Sequence, residues 1–72
     1  MISQYSIVTL LEDLPDSDVR AGSIAVVLDV YSSPRLAYEI EVVDTDGSTR
    51  FLGSVNPEMV KEVEDPDSSS DA

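Results

Sequence analysis

The chain has no cysteine, no histidine and no tryptophan, and only four of its 72 residues are basic. Without cysteine there is neither a disulfide framework nor a thiolate metal site. Without histidine the commonest neutral metal ligand and general base is missing too. No apolar run approaches the roughly 20 residues that a membrane-spanning helix needs, and the opening MISQYSIVTLLED lacks the basic flank and long apolar stretch of a secretory leader. These shortages set the expectation of a cytoplasmic protein that holds no cofactor, binds no metal and enters no membrane.

What is abundant is negative charge. Fifteen acidic residues against four basic ones leave a formal charge of −11. That balance excludes a basic patch for DNA, RNA or anionic lipid and points instead to a basic protein surface as the partner, with the oligomeric state left open. The length allows one domain, and a domain this short buries only about 60% of the surface its unfolded chain exposes.

The run YSIVTL, from Tyr5 to Leu10, is β-branched and apolar and reads as a first strand. It ends at a turn-rich acidic stretch in which Pro15, Asp16, Ser17 and Asp18 precede Gly22. IAVVLDVY, Ile24 to Tyr31, is the strongest strand, with Ile24, Val26, Leu28 and Val30 expected on one face. After Ser32, Ser33 and Pro34, the segment AYEIEVV alternates, placing Tyr38, Ile40 and Val42 inward and Glu39 and Glu41 outward. Asp44 to Ser48 carries the Asp-Gly pair of a tight hairpin, with TRFLGSV as the partner strand. Asn56-Pro57-Glu58-Met59 reads as a single helical turn capped by Asn56, and VKEV, Val60 to Val63, as a short closing strand. From Glu64 onward EDPDSSSDA has no large apolar side chain, so residues 64–72 are expected to be a disordered acidic tail beyond a domain at residues 1–63.

Five strands with a long loop after the first and one helical turn before the last predict an all-β, SH3-like five-stranded barrel. The residues LLEDLP (Leu10 to Pro15), the valine-rich strand after Gly22, and AYEIEVVDTDGST (Ala37 to Thr49) together resemble a family of small bacterial SH3-like domains of unknown function. The resemblance covers roughly residues 5 to 63. Two positions depart from it: Ala25 stands where the family pattern has a second glycine, and Gly53 interrupts a strand that the pattern keeps continuous. What the resemblance implies is a fold and no activity, so function rests on sites.

The segment DTDGS supports neither a calcium loop nor an aspartic-protease turn. Setting Asp44, Asp46 and Gly47 at the third, fifth and sixth positions of a calcium loop puts Val42 first and Gly53 twelfth, and neither supplies a carboxylate. Asp46 interrupts the Asp-Thr-Gly of the protease. Catalysis needs a nucleophile with its base, or two carboxylates of separated pKa in a cleft, and with a single lysine besides the missing residue types the chain is expected not to be an enzyme.

The candidate partner-binding residues are therefore surface groups. Glu12, Asp13, Asp16 and Asp18 lie where the resemblance puts a long loop beside a ligand groove; the alternative is a merely solvated loop. Glu39 and Glu41 share one strand face about 7 Å apart, as on any solvated face. Among the tyrosines, Tyr5 and Tyr38 are expected in the core, and Tyr31, near Asp29, partly exposed. Ser68, Ser69 and Ser70, flanked by acids, would suit an acidophilic kinase.

The leading expectation is a non-enzymatic protein-binding module, an inhibitor, immunity or accessory protein docking on a basic partner through electrostatic steering. The alternative is a nucleic-acid mimic whose carboxylates imitate phosphates and block a nuclease, repressor or CRISPR effector. A third is a structural barrel attached to a larger enzyme, which exposed apolar area would favour.

Overall fold

The computed structural model of the chain describes residues 2–14 and 16–63. The expected tail at 64–72, with its three serines, and Pro15 lie outside the described residues. One antiparallel sheet organises the rest, built from β1 (Ile7–Leu10), β2 (Ile24–Tyr31), β3 (Ala37–Val43), β4 (Thr49–Val55) and β5 (Val60–Glu62). The order across the sheet is β4-β3-β2-β1-β5, so the last strand pairs with the first.

Local chemistry explains the elements. The β3–β4 hairpin closes at the Asp-Gly pair, where Gly47 adopts φ 90° and its N–H donates to the Asp44 carbonyl at 2.9 Å. A side chain at that φ would be strained, which is why glycine serves there. Asp46 braces the turn by accepting from the Ser48 N–H at 2.9 Å and its hydroxyl at 2.6 Å. Pro57–Met59 forms the expected helical turn, as a 3-10 turn. Asn56 precedes it in an extended conformation without a side-chain cap, and the turn is closed by the Val60 N–H on the Pro57 carbonyl.

The core is the inner face of the sheet. Val8, Leu10, Ala25, Val27, Tyr38, Ile40, Val42, Val55 and Val60 are buried there, joined by Val19 from the β1–β2 loop. Burying a side chain such as Ile40 or Val27 completely is worth roughly 1.5–3 kcal/mol relative to leaving it exposed. Tyr38, Ile40 and Val42 lie inward as the alternation of β3 predicts.

Besides the absent Asn56 side-chain cap, three expectations need correction. The sheet is not a closed barrel: β4 and β5 stand at its two edges. The three residues of β5 are paired with Val8, Thr9 and Leu10 of β1, while β4 is paired with β3. Closure needs a further ladder between β4 and β5, and none is present among the described residues. Leu14, Phe51 and Met59 pack against the core instead.

Tyr5 is not in the core but 69% exposed. A turn from Ser3 to Ser6, closed by the Ser6 N–H on the Ser3 carbonyl, sets Tyr5 at φ 71° and delays β1 to Ile7. The buried residues of β1 are then Val8 and Leu10, in the opposite phase to Tyr5 and Ile7.

The third correction concerns β2, whose four aliphatic residues do not share a face. Val27 pairs with Ile40 and Asp29 with Glu39, which leaves Leu28 as an extra residue in a β-bulge. One extra residue reverses the phase of everything after it. Ile24 and Val26 therefore lie on the outer face, while Val30, paired with the buried Tyr38, packs against the core.

Candidate partner-binding surface

The acidic loop between β1 and β2 is more ordered than a solvated excursion. Leu14 and Val19 pair across it, with the Leu14 N–H donating to the Val19 carbonyl at 2.7 Å, and Val19 plugs the core. Asp13 accepts from the Ala21 N–H at 2.8 Å, which ties the start of the loop to its end. Asp18 turns the chain at φ 55°, a conformation that aspartate tolerates better than most residues. Glu12 and Asp16 are exposed.

The loop meets the β3–β4 hairpin through Arg50. This residue is the bulged position of β4, skipped between the pairs Val43↔Thr49 and Val42↔Phe51. Its guanidinium bonds the Asp44 carboxylate at 2.7 Å and approaches the Asp18 carboxylate at 3.8 Å. Donating this hydrogen bond to Asp44 holds Arg50 still more firmly in its charged form. Between loop and hairpin lies a cleft of about 500 Å³ bordered by Asp18, Arg20, Ile24, Val43, Asp44 and Arg50. Its charges are mixed, and Arg50 is already engaged by Asp44.

The second group of candidates lies on the outer face of the sheet. The Tyr31 hydroxyl donates to Glu39 across the β2–β3 pair, and that bond, with the nearby Asp29 charge, raises the Tyr31 pKa above its ordinary value. Glu41 accepts from the Thr49 hydroxyl at 2.7 Å. Cross-strand register sets Ile7, Val26, Glu41 and Leu52 in one row and Asp29, Glu39 and Ser54 in the next. The outer face is thus acidic toward Tyr31 and aliphatic toward Ile24, Val43 and Leu52, with Glu41 between.

The seven candidates do not form one site. Tyr31, Glu39 and Glu41 stand on β2 and β3, whereas Glu12, Asp13, Asp16 and Asp18 belong to the β1–β2 loop. Sequence reasoning passed over Arg50, Ile24 and Leu52. The alternation of TRFLGSV, with Val55 inward, is the signal that places Leu52 outward, and the bulges at Leu28 and Arg50 have no comparable signal. Among the described residues no three acidic side chains converge on a metal position, and no helix is long and apolar enough to cross a membrane.

Fold and surface define a small all-β domain whose exposed features are carboxylates interleaved with aliphatic side chains. The chain belongs to the family described as Domain of unknown function (DUF4926), whose model matches residues 4–61. No curated protein and no solved structure matches it.

Proposed function

We propose that the domain is a non-enzymatic, SH3-like binding module that docks on a basic protein surface as an inhibitor, immunity or accessory protein. The observation that carries this reading is the outer face of the sheet, where an acidic part with Glu39 adjoins exposed Ile24, Val43 and Leu52, with Glu41 between, on a chain of net charge −11. Carboxylates steer a cationic partner and aliphatic side chains hold it once water is expelled. The strand order, the long β1–β2 loop and the 3-10 turn before β5 support the SH3-like reading. The same interleaving of aliphatic groups speaks against nucleic-acid mimicry, which calls for uninterrupted rows of carboxylates.

The test is kinetic. A partner captured from the source cells should associate more slowly as salt rises, and more slowly with the Glu39→Gln/Glu41→Gln double variant. An association rate indifferent to salt refutes the reading. Displacement of nucleic acid from the captured partner would favour mimicry instead.

A further inference from the structure

The two edges of the sheet are built differently. β5 offers three residues, with exposed Lys61 and Glu62 among them, the short charged form that discourages another strand from pairing. β4 offers seven residues, contains no proline, and carries Arg50 as its one charged residue. Among the described residues only β3 pairs with it. Leu52, at its middle, is 57% exposed. Beyond the bulge at Arg50, the run Phe51 to Val55 has neither charge nor proline and is a template for strand addition.

Gly53 follows Leu52 on this edge. It sits in regular register opposite Ile40, away from the bulge at Arg50, so it is not there to bend the strand. The Phe51 ring folds over it, with its tip 3.1 Å from where a Cβ would stand. The place a side chain would take at Gly53 is filled by this ring.

We propose that β4 takes an extended segment of a basic partner as a sixth strand, with cationic side chains on the face of Glu39 and Glu41 and aliphatic ones on the face of Phe51. This rests on the basic-partner reading above and names the surface and the form of the ligand. Strands lie about 4.8 Å apart, so an added strand runs roughly 10 Å from β3, within reach of a lysine or arginine side chain. Ser54 pairs with Glu39 and is small, which leaves a cation opposite it a clear path to that carboxylate. A cation opposite Leu52 lays its stem on the leucine and its head toward Glu41.

Other occupants fit less well. The residues after Val63, EDPDSSSDA, have no large apolar side chain and would set acids beside Glu39 and Glu41. A second copy brings another net charge of −11, and its one cation in β4 is held by Asp44.

A blocked peptide of about eight residues alternating lysine and valine, the length of a typical strand, is the probe. It should bind the full chain saturably and slow amide exchange from Arg50 to Ser54. Its fully N-methylated version keeps charge and side chains but donates no backbone hydrogen bond, and should bind at least about tenfold more weakly. Glu39→Gln/Glu41→Gln should weaken the parent peptide as well. Equal binding by the N-methylated peptide, or exchange protection confined to residues 12–18, overturns strand addition while leaving the basic-partner reading standing. No binding of the peptide at any site sinks both. A dimer of the chain that Leu52→Lys dissolves gives β4 to a second copy and also refutes the proposal.

Discussion

Replacing Gly53 by alanine tests whether the Phe51 ring is a wall or a movable cover. A glycine in a strand interior costs roughly 0.5–1 kcal/mol in backbone entropy relative to alanine, so the substitution starts with that much in its favour. Against it stands the ring: a Cβ would meet the Phe51 Cζ at 3.1 Å and the two Cε atoms at 3.6 Å. Phe51 is half-buried and packs against the core, so giving way means leaving its preferred rotamer, at about 0.5–1.5 kcal/mol for a displacement near 30°. The two effects nearly cancel, and Gly53→Ala alone should change stability by less than about 1 kcal/mol. In a Phe51→Leu background the obstruction is gone and the same change should stabilise by roughly 0.5–1 kcal/mol. The coupling, about 1 kcal/mol, is read from a double-mutant cycle of urea midpoints, where a slope near 1 kcal/mol/M makes it a shift of about 1 M. Equal stabilisation in both backgrounds would show that the ring does not restrain the site.

Ile40 is fully buried at the centre of the sheet, so Ile40→Ala should cost roughly 2–5 kcal/mol and Ile40→Val about 0.5–1.5. Against a total stability of about 4–11 kcal/mol for 72 residues, the alanine variant should lower the thermal midpoint far more than the valine variant does. Asp46 has its pKa lowered by the Ser48 hydroxyl and N–H. Its contribution is therefore complete above the unfolded value of about 3.9 and fades as pH falls through the lower folded value. Asp46→Asn should flatten the acid limb of a stability-against-pH curve, and an unchanged limb would contradict the role given to Ser48. Tyr31, raised chiefly by its bond to Glu39, contributes below about pH 10 and loses that contribution as pH rises through its folded value. Glu39→Gln should bring the tyrosinate absorbance of Tyr31 to lower pH, and no movement would show that the two groups are not bonded in solution.

The parts of the fold legible in the sequence were those with a strict period or a turn dipeptide. β3 alternates without interruption, so Tyr38, Ile40 and Val42 fall inward. Asp46-Gly47 marks the hairpin because only a few residues accept the backbone it needs. The errors lie where one residue shifts the phase. The bulge at Leu28 and the positive φ at Tyr5 reverse the faces that simple alternation assigns, and neither residue type announces it. Barrel closure was misjudged for another reason: which strands meet is set by topology, and β4 and β5 do not pair. The candidate surface was legible as charge and much less so as shape. Glu39 and Glu41 were found by alternation. The Arg50 link between loop and hairpin depends on a bulge, and the exposed edge of β4 depends on topology.

The pairing of β5 with β1 also brings the two ends of the folded unit together, since the Val63 N–H donates to the Ile7 carbonyl at 2.9 Å. A chain whose first and last strands are neighbours leaves the sheet beside the point where it came in. Such a unit can be spliced into a surface loop of another protein without prising its host apart. It can also be rejoined through a short linker and reopened at Gly47, giving a permuted chain with the same sheet. The arrangement makes this domain portable, and the outer face of its sheet would travel with it.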